Sequence, residues 1–251
     1  MKMSVFSLLW TTTAIFILDM NFEEIVKKLK AQRNDKNIEG MARFGISSKN
    51  TLGVSMPALR EMAKEIKKGL KEKPKILHKL ALELWQTKIH EARILAGLID
   101  APELVTKKQM DIWAGGFDSW DVCDQACMNL FDKTLFVFDK AKEYAQKEKE
   151  FVKRTGFALM ASLAVHDKKA KDNQFVEFFP FIIKASSDER NFVRKSVNWA
   201  LRQIGKRNLK LNKQAIKIAK KIQVIDSKTA KWISNDALRE LNSEAIQKKL
   251  K

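Results

Sequence analysis

Residues 117–131 read FDSWDVCDQACMNLF. At about 100° per residue, four small or apolar side chains of this stretch fall on one side of a helix. They are Cys123, Ala126, Cys127 and Leu130. Gly115 and Gly116 precede the stretch and predict a break between helices. Asp118 or Ser119 can cap the new helix, because a short oxygen-bearing side chain accepts hydrogen bonds from the free amides of a first turn.

Trp120 and Asp124 lie four residues apart, so they share one shoulder of the buried stripe. Two interpretations fit this pair. In the first, Trp120 covers the core and Asp124 is a solvated acid. In the second, the pair is a functional site with Asp124 as its acid and Trp120 as its wall, because acids in unusual surroundings mark functional sites.

The composition of the 251 residues favours helices. Nine glycines and four prolines are few, and no long stretch alternates like a half-buried strand. Short connections between amphipathic helices are typical of antiparallel helix pairs stacked into a solenoid. We therefore predict an all-α fold, a solenoid of degenerate HEAT-like repeats with a concave basic face. A globular helical bundle is the alternative.

The helical periodicity also gives approximate boundaries. Residues 34–55 are punctuated by Asn, Asp, Ser and Gly and are predicted to be mainly loop. The principal predicted helices cover residues 21–30, 57–66, 74–85, 89–100, 135–147, 150–165, 173–184, 189–206, 211–223 and 226–242.

The first nineteen residues differ from the rest of the chain. Residues 3–18 carry no charge, and a well-formed helix begins after Met20. We interpret residues 1–19 as an apolar extension arising from an upstream start codon, with a secretory signal or membrane anchor as the alternative. Residues 20–251 are expected to form a single helical-repeat domain.

The formal net charge of +18 predicts a polyanionic partner, either nucleic acid or an anionic membrane surface. A lysine-rich proteome is the alternative explanation. The charge disfavours a protein-interaction scaffold, because a groove for a protein needs no field of this size.

The cysteines and histidines predict neither a disulfide nor a metal centre. Cys123 and Cys127 suit two buried hydrophobes better than a disulfide, which is strained within one helix. A reducing cytoplasm is therefore the expected location. His78, His90 and His166 show no metal-ligand spacing, so we expect no metal and no cofactor.

Residues 189–206 form a second candidate surface. One helix face carries aromatic and basic side chains at steps of three and four, which suits phosphate and sugar. These are Phe192, Lys195, Trp199, Arg202 and Lys206. An interface with the next repeat is the alternative for this face. Arg154, beside Gly156, and the pair Arg43 and Phe44 are weaker candidates of the same kind.

Several blocks together resemble the DNA alkylation repair glycosylases of the AlkD type, which are HEAT-like solenoids. The resemblance covers about residues 21–240. Residues 119–124, SWDVCD, are similar to the motif with the catalytic aspartate and an active-site tryptophan. Residues 192–202 resemble the block with the second tryptophan and an arginine, and residues 41–44 the N-terminal block. Arg154 matches a basic position near the cleft.

The resemblance implies hydrolysis of the N-glycosidic bond of N3- or N7-alkylated purines in double-stranded DNA, without base flipping. Asp124 is then the carboxylate that stabilises the cationic sugar, and Trp120 and Trp199 hold the deoxyribose and backbone. Arg154 and Arg202 are expected to contact phosphates. The remaining expected DNA-binding residues are Lys195, Lys206, Phe192, Arg43 and Phe44.

The sequence also departs from the family pattern. Phe44 replaces an aromatic hydroxyl, and Asp118–Ser119 stands where better-known members have a bulkier run containing tryptophan. A non-catalytic nucleic-acid-binding solenoid is therefore the alternative function. We expect a monomer without a membrane partner, unless residues 1–19 are an anchor.

Overall fold

The computed structural model describes residues 21–70 and 73–250. The extension predicted for residues 1–19 lies outside these residues. The described chain is all-α and contains no β-strand, which confirms the predicted fold class. It packs as two compact units, one ending at Val105 and one beginning at Thr106. That residues 20–251 behave as a single domain stays a prediction.

In the described part of the first unit there are five α-helices and a short 3₁₀ turn at Pro102–Leu104. The helices are α1 (Phe22–Ala31), α2 (Asp35–Ala42), α3 (Met56–Gly69), α4 (Pro74–Gln86) and α5 (His90–Ile99). Helix α5 is apolar nearly all round and is buried between α3 and α4, with α1 against both α4 and α5. A helix buried on most sides forms the centre of a unit, so α5 organises this one.

The loop after α2 is fixed by a buried carboxylate on α5. Glu91 accepts the backbone N–H groups of Leu52 at 2.9 Å and Gly53 at 2.6 Å, and it is almost fully buried. Gly53 has a φ of +74°, and a Cβ there would collide with the carbonyl of Asn34. Only glycine meets both demands, so this position is fixed by backbone geometry.

Helix α2 corrects the prediction of a loop over residues 34–55. The side chain of Asn34 accepts the backbone N–H of Asn37 at 3.0 Å and so caps α2. Asparagine is favoured both in turns and at helix N-termini, and the cap was mistaken here for a turn.

The second unit contains the remaining helices and a 3₁₀ turn at Phe131–Lys133. The helices are α6 (Lys107–Gly116), α7 (Trp120–Asn129), α8 (Val137–Tyr144), α9 (Glu150–His166), α10 (Asp172–Val176), α11 (Phe179–Ala185), α12 (Asn191–Gly205), α13 (Leu209–Gln223), α14 (Lys228–Leu241) and α15 (Glu244–Leu250).

These helices pack in two rows. The site row is α7, α9, α12 and α14, each packed against the next. The second row is α6, α8, α11 and α13, and α8, α11 and α13 pack against α9, α12 and α14 respectively. Successive helix pairs therefore stack on one another, as in HEAT-like repeats.

Polar contacts between neighbouring pairs show the repeat that the sequence hides. Lys142 and Glu177 are 35 residues apart, Asn208 and Asp172 are 36 apart, and Asn198 and Asp236 are 38 apart. Similar separations in successive pairs indicate that equivalent contacts join each pair to the next, as in a repeat protein.

Two helix boundaries differ from the sequence prediction. The helix predicted over 173–184 is split into α10 and α11, because Pro180 has no amide hydrogen to continue the ladder of hydrogen bonds. Gly115 and Gly116 lie inside α6, and the break falls at residues 117–119. No helix of the described chain is both long enough and apolar enough to cross a membrane.

Gly156 is a packing requirement of the second unit. A Cβ there would overlap the backbone nitrogen of Ala145 and lie 2.8 Å from the carbonyl oxygen of Ala141. We expect Gly156→Ala to lower the free energy of unfolding by about 1–3 kcal/mol, measured in urea.

The matched control is Gly115→Ala, in the same unit, where a Cβ meets nothing within 4 Å. It should be neutral or slightly stabilising, because alanine loses less entropy than glycine on entering a helix. Equal effects of the two substitutions would contradict the close packing of α9 on α8.

Candidate nucleic-acid interface

Asp124 lies in the middle of α7 and is buried, with 9% of its surface exposed. The apolar stripe of α7 is also buried and includes Cys123 and Cys127. The interpretation of Asp124 as a solvated acid is therefore wrong. A carboxylate at this depth needs a charged or hydrogen-bonding partner.

Arg154 on α9 is that partner. Its Nε donates to one carboxylate oxygen of Asp124 at 3.0 Å, and its Nη2 donates to the other at 2.7 Å. Its Nη1 donates to the backbone carbonyl of Phe192 on α12 at 2.7 Å. One guanidinium, itself 6% exposed, therefore connects three consecutive helices of the site row.

Burial and pairing act on the protonation of both groups. Burial raises the pKa of the Asp124 carboxyl, and the charge and hydrogen bonds of Arg154 offset part of that rise. Burial by itself lowers the pKa of the Arg154 guanidinium, but Asp124 more than compensates and raises it. The bidentate geometry favours the doubly charged pair near neutral pH.

Asp121 is a separate carboxylate with its own local role. It accepts a hydrogen bond from the hydroxyl of Ser119 and one from the backbone N–H of Val122 at 3.0 Å. Ser119 is the N-cap residue of α7, but its hydroxyl accepts no hydrogen bond from the backbone amides of the first turn. Asp121 acts on Asp124 through its charge, which contributes to the raised pKa of Asp124.

The aromatic residues predicted for the site lie on two helices of the site row. Trp120 begins α7 and Trp199 lies on α12, and both are partly exposed. Phe192 packs against Phe151 with ring centroids 5.4 Å apart. Lys195 is exposed on the face of α12 that points away from its buried stripe.

Arg202 and Lys206 contact the next helix of the site row. Arg202 donates to Glu240 of α14 at 2.5 Å, and Lys206 donates to the other carboxylate oxygen of Glu240 at 2.6 Å. Burial raises the pKa of Glu240, but the two cations outweigh it and lower the pKa overall. For these two residues, the geometry matches the alternative of an interface with the next repeat.

Sequence reasoning missed the α14 side of this interface. Trp232, Asp236 and Glu240 recur every four residues, which is the visible signal of one helix face. The guanidinium of Arg194 lies 5.3 Å from the ring centre of Trp232, and Asn198 donates to Asp236 at 2.7 Å. Their partners lie on α12, which periodicity within α14 cannot reveal.

Arg43 and Phe44 belong to the other compact unit. Arg43 is the C-cap residue of α2 and is exposed, and 69% of the Phe44 surface is exposed. Their contact with DNA stays a prediction.

The described residues hold no group of three or more His, Cys, Asp or Glu side chains that could bind a metal ion. Burial strongly raises the pKa of the Cys127 thiol, and the Cys123 sulfur lies 3.3 Å from the hydroxyl of Thr155. Both cysteines are free thiols packed in the core, so they offer no nucleophile to a ligand.

Comparisons with known proteins identify the class. A family model described as DNA alkylation repair enzyme matches residues 25–241. A solved structure matches with a TM-score of 0.69 and 19% sequence identity. The match covers 88% of this chain and 95% of the chain in that structure. It is described as a new family related to the HEAT-like repeat DNA glycosylases, with affinity for branched DNA structures. A designed armadillo repeat protein also matches, with a TM-score of 0.36, 14% identity, and coverage of 75% and 100%. No curated protein matches the chain.

The helix pairs and the buried acid of the site row thus belong to a HEAT-like helical-repeat protein. The chain is a member of the DNA alkylation repair enzyme family.

The buried pair predicts a strong coupling between Asp124 and Arg154. Arg154→Gln leaves a buried carboxylate without its cation and should cost about 3–5 kcal/mol of unfolding free energy. Adding Asp124→Asn removes the unpaired charge. The double variant should therefore lose less unfolding free energy than the two single variants lose in sum. Urea unfolding of all four proteins measures the coupling, and strictly additive losses would contradict it.

The same variants should differ in their dependence on pH. In Arg154→Gln, burial raises the pKa of Asp124 with no cation to oppose it. A raised acid pKa gives stability that is present below the unfolded value and is lost as pH rises through the folded value. The deficit against wild type should therefore be smaller at pH 4 than at pH 7. The double variant has no acid at this position, so its stability deficit against wild type should not increase from pH 4 to pH 7.

Proposed function

We propose that this protein binds double-stranded DNA carrying alkylated purines and hydrolyses the N-glycosidic bond of the lesion without flipping the base. The observation that carries the proposal is the buried carboxylate of Asp124, held by Arg154 between α7, α9 and α12. A buried ion pair is weak evidence for stability, because apolar side chains of similar volume often stabilise a fold equally well. Its presence here favours a role in recognition or chemistry.

The reaction suits a site with one carboxylate. An N3- or N7-alkylpurine already carries positive charge, so the leaving base needs no protonation. Positive charge then grows on the sugar as the glycosidic bond breaks. Asp124 stabilises that charge electrostatically, and the indoles of Trp120 and Trp199 add cation–π attraction of about 0.5–2 kcal/mol each. A conventional glycosidase needs a second carboxyl group as general acid.

Arg154 acts in this proposal as a positioning residue. Its two bonds fix the orientation of the Asp124 carboxylate, and its third bond fixes that carboxylate relative to α12. All three guanidinium nitrogens have protein partners, and these bonds use three of its five N–H donors. A phosphate that draws the guanidinium towards DNA would leave the carboxylate charge less compensated and better able to stabilise the sugar cation.

A non-catalytic DNA-binding function is the second candidate. The paired state of Asp124 supports it, because a carboxylate that accepts from both Nε and Nη2 of a guanidinium is already neutralised. The related structure described as having affinity for branched DNA supports it as well.

Base excision separates the two candidates. We expect wild-type protein to release free base from duplex DNA that contains N-methylpurines, and Asp124→Asn to bind that DNA without releasing base. Chromatography of released bases and a fluorescence binding assay measure the two properties. Asp121→Asn, three residues away, is the matched control and should retain excision, since that carboxylate bonds within its own turn.

Excision by Asp124→Asn at the wild-type rate would overturn the role of this carboxylate. Salt-sensitive DNA binding by wild type without excision would favour the non-catalytic function. Circular dichroism and unfolding must first show that each variant is folded, because removing one charge of a buried pair leaves the other unpaired and destabilises the fold.

The cations of α12 should contribute unequally to DNA binding. Lys195 is exposed, whereas Arg202 and Lys206 share the carboxylate of Glu240. We expect Lys195→Gln to flatten the plot of log affinity against log salt by about 0.9, as for one lost phosphate contact. Lys206→Gln should flatten it less. A larger change for Lys206 than for Lys195 would reverse this assignment.

A further inference from the structure

Helix α13 carries a row of lysines that the candidate site does not use. Its buried stripe contains Leu211, Ala215, Ala219 and Ile222. At about 100° per residue, four exposed lysines fall on the opposite face. We call this group the lysine strip: Lys213, Lys217, Lys220 and Lys221.

The lysine strip has no acidic partner among the residues that the structure describes. Residues 190–225, which include α12 and α13, contain no aspartate or glutamate. The cations of α12 obtain carboxylates from elsewhere, as Arg202 does from Glu240. Within residues 21–70 and 73–250, no carboxylate oxygen lies within 4.0 Å of a lysine of the strip. The nearest approach on this helix is Lys210, 4.0 Å from Asp172.

A tethered loop adds positive charge at the N-terminal end of α13. Residues 167–171 include the exposed Lys168, Lys169 and Lys171. Arg207 donates to the carbonyls of Ala164 at 3.2 Å and Ala170 at 3.0 Å. Its guanidinium also lies 4.4 Å from the ring centre of Phe175. The loop is therefore fixed to the end of α12 and extends the field of the strip.

The strip and the candidate site face in different directions within the second unit. Helix α13 belongs to the second row and packs its buried face on α12 and α14. Lys195 lies on the face of α12 turned away from its core. With a helix diameter of about 10 Å, two rows place these surfaces about 20 Å apart. A straight duplex bound along one surface cannot also lie along the other.

We propose that the lysine strip binds the phosphate backbone of a second duplex segment while the candidate site holds the first. This inference rests on the proposed binding of DNA by the site row. From Lys213 to Lys221 the helix rises by eight residue steps, or about 12 Å at 1.5 Å per residue. One strand of B-DNA presents a phosphate about every 3.4 Å of axis, so the strip matches three or four phosphates.

The composition of the strip favours nucleic acid over a protein partner. A protein interface has an apolar or aromatic centre with a polar rim. The strip consists of lysines and carries no aromatic ring, which suits sequence-independent contact with phosphates.

A sandwich-capture experiment tests the proposal with the full chain. A short duplex is immobilised and saturated with protein, and a second, fluorescent duplex is then passed over it. The strip variant is Lys213→Gln, Lys217→Gln, Lys220→Gln and Lys221→Gln combined. It should bind the immobilised duplex like wild type but capture at least about tenfold less of the second duplex. The salt slope of the second binding step should fall by about three to four units.

The control variant loses the same net charge from exposed lysines that already have carboxylate partners within 4.0 Å. It combines Lys64→Gln, Lys79→Gln, Lys231→Gln and Lys248→Gln. It should capture the second duplex like wild type. Equal losses in both variants, or no loss in the strip variant, would overturn the proposal, because bulk charge or another surface would then be responsible.

Stoichiometry completes the test. Light scattering should give one protein molecule for two duplexes, and two proteins for two duplexes would overturn the proposal. If wild type holds the first duplex but captures no second one, the proposed role of the lysine strip is overturned and the proposed function is not. Wild type that fails to bind the immobilised duplex overturns both.

Discussion

The second unit depends on one buried ion pair. The Asp124 carboxylate and the Arg154 guanidinium are both nearly excluded from water, and the third arm of the guanidinium reaches the carbonyl of Phe192. Removing either charged group strands the other in a medium of low dielectric constant. The pair therefore fixes how α7, α9 and α12 meet, and it places the candidate carboxylate between the helices that carry Trp120 and Trp199.

Contacts between neighbouring helix pairs extend this arrangement along the unit. Asp124 and Arg154 are 30 residues apart, and the contacts from Arg154 to Phe192 and from Arg202 to Glu240 each span 38. Such a unit is held together by nearest-neighbour interfaces, so it needs similar geometry but not similar residues at each step. This explains why a structural repeat exists without a strict sequence repeat.

The positive charge is distributed in two ways. On α12, Arg202 and Lys206 share Glu240, so part of their charge is used in holding two helices together. On α13, the lysine strip faces outwards and forms no ion pair with the described part of the chain. Exposed, uncompensated lysines release counterions on binding a polyanion, whereas paired cations must first lose a partner. Net charge alone does not separate these two groups.

The sequence by itself determined the helical class, most helix positions, and the pairing of Trp120 with Asp124 on one helix shoulder, because these follow from local periodicity. It missed α2, since the cap residue Asn34 is equally common in turns, and it missed the break at Pro180. Only the tertiary structure decided that Asp124 is buried against Arg154 and that Arg202 contacts Glu240. Those partners lie 30 and 38 residues away on other helices, and the periodicity of one helix contains no information about which residue of another it will meet.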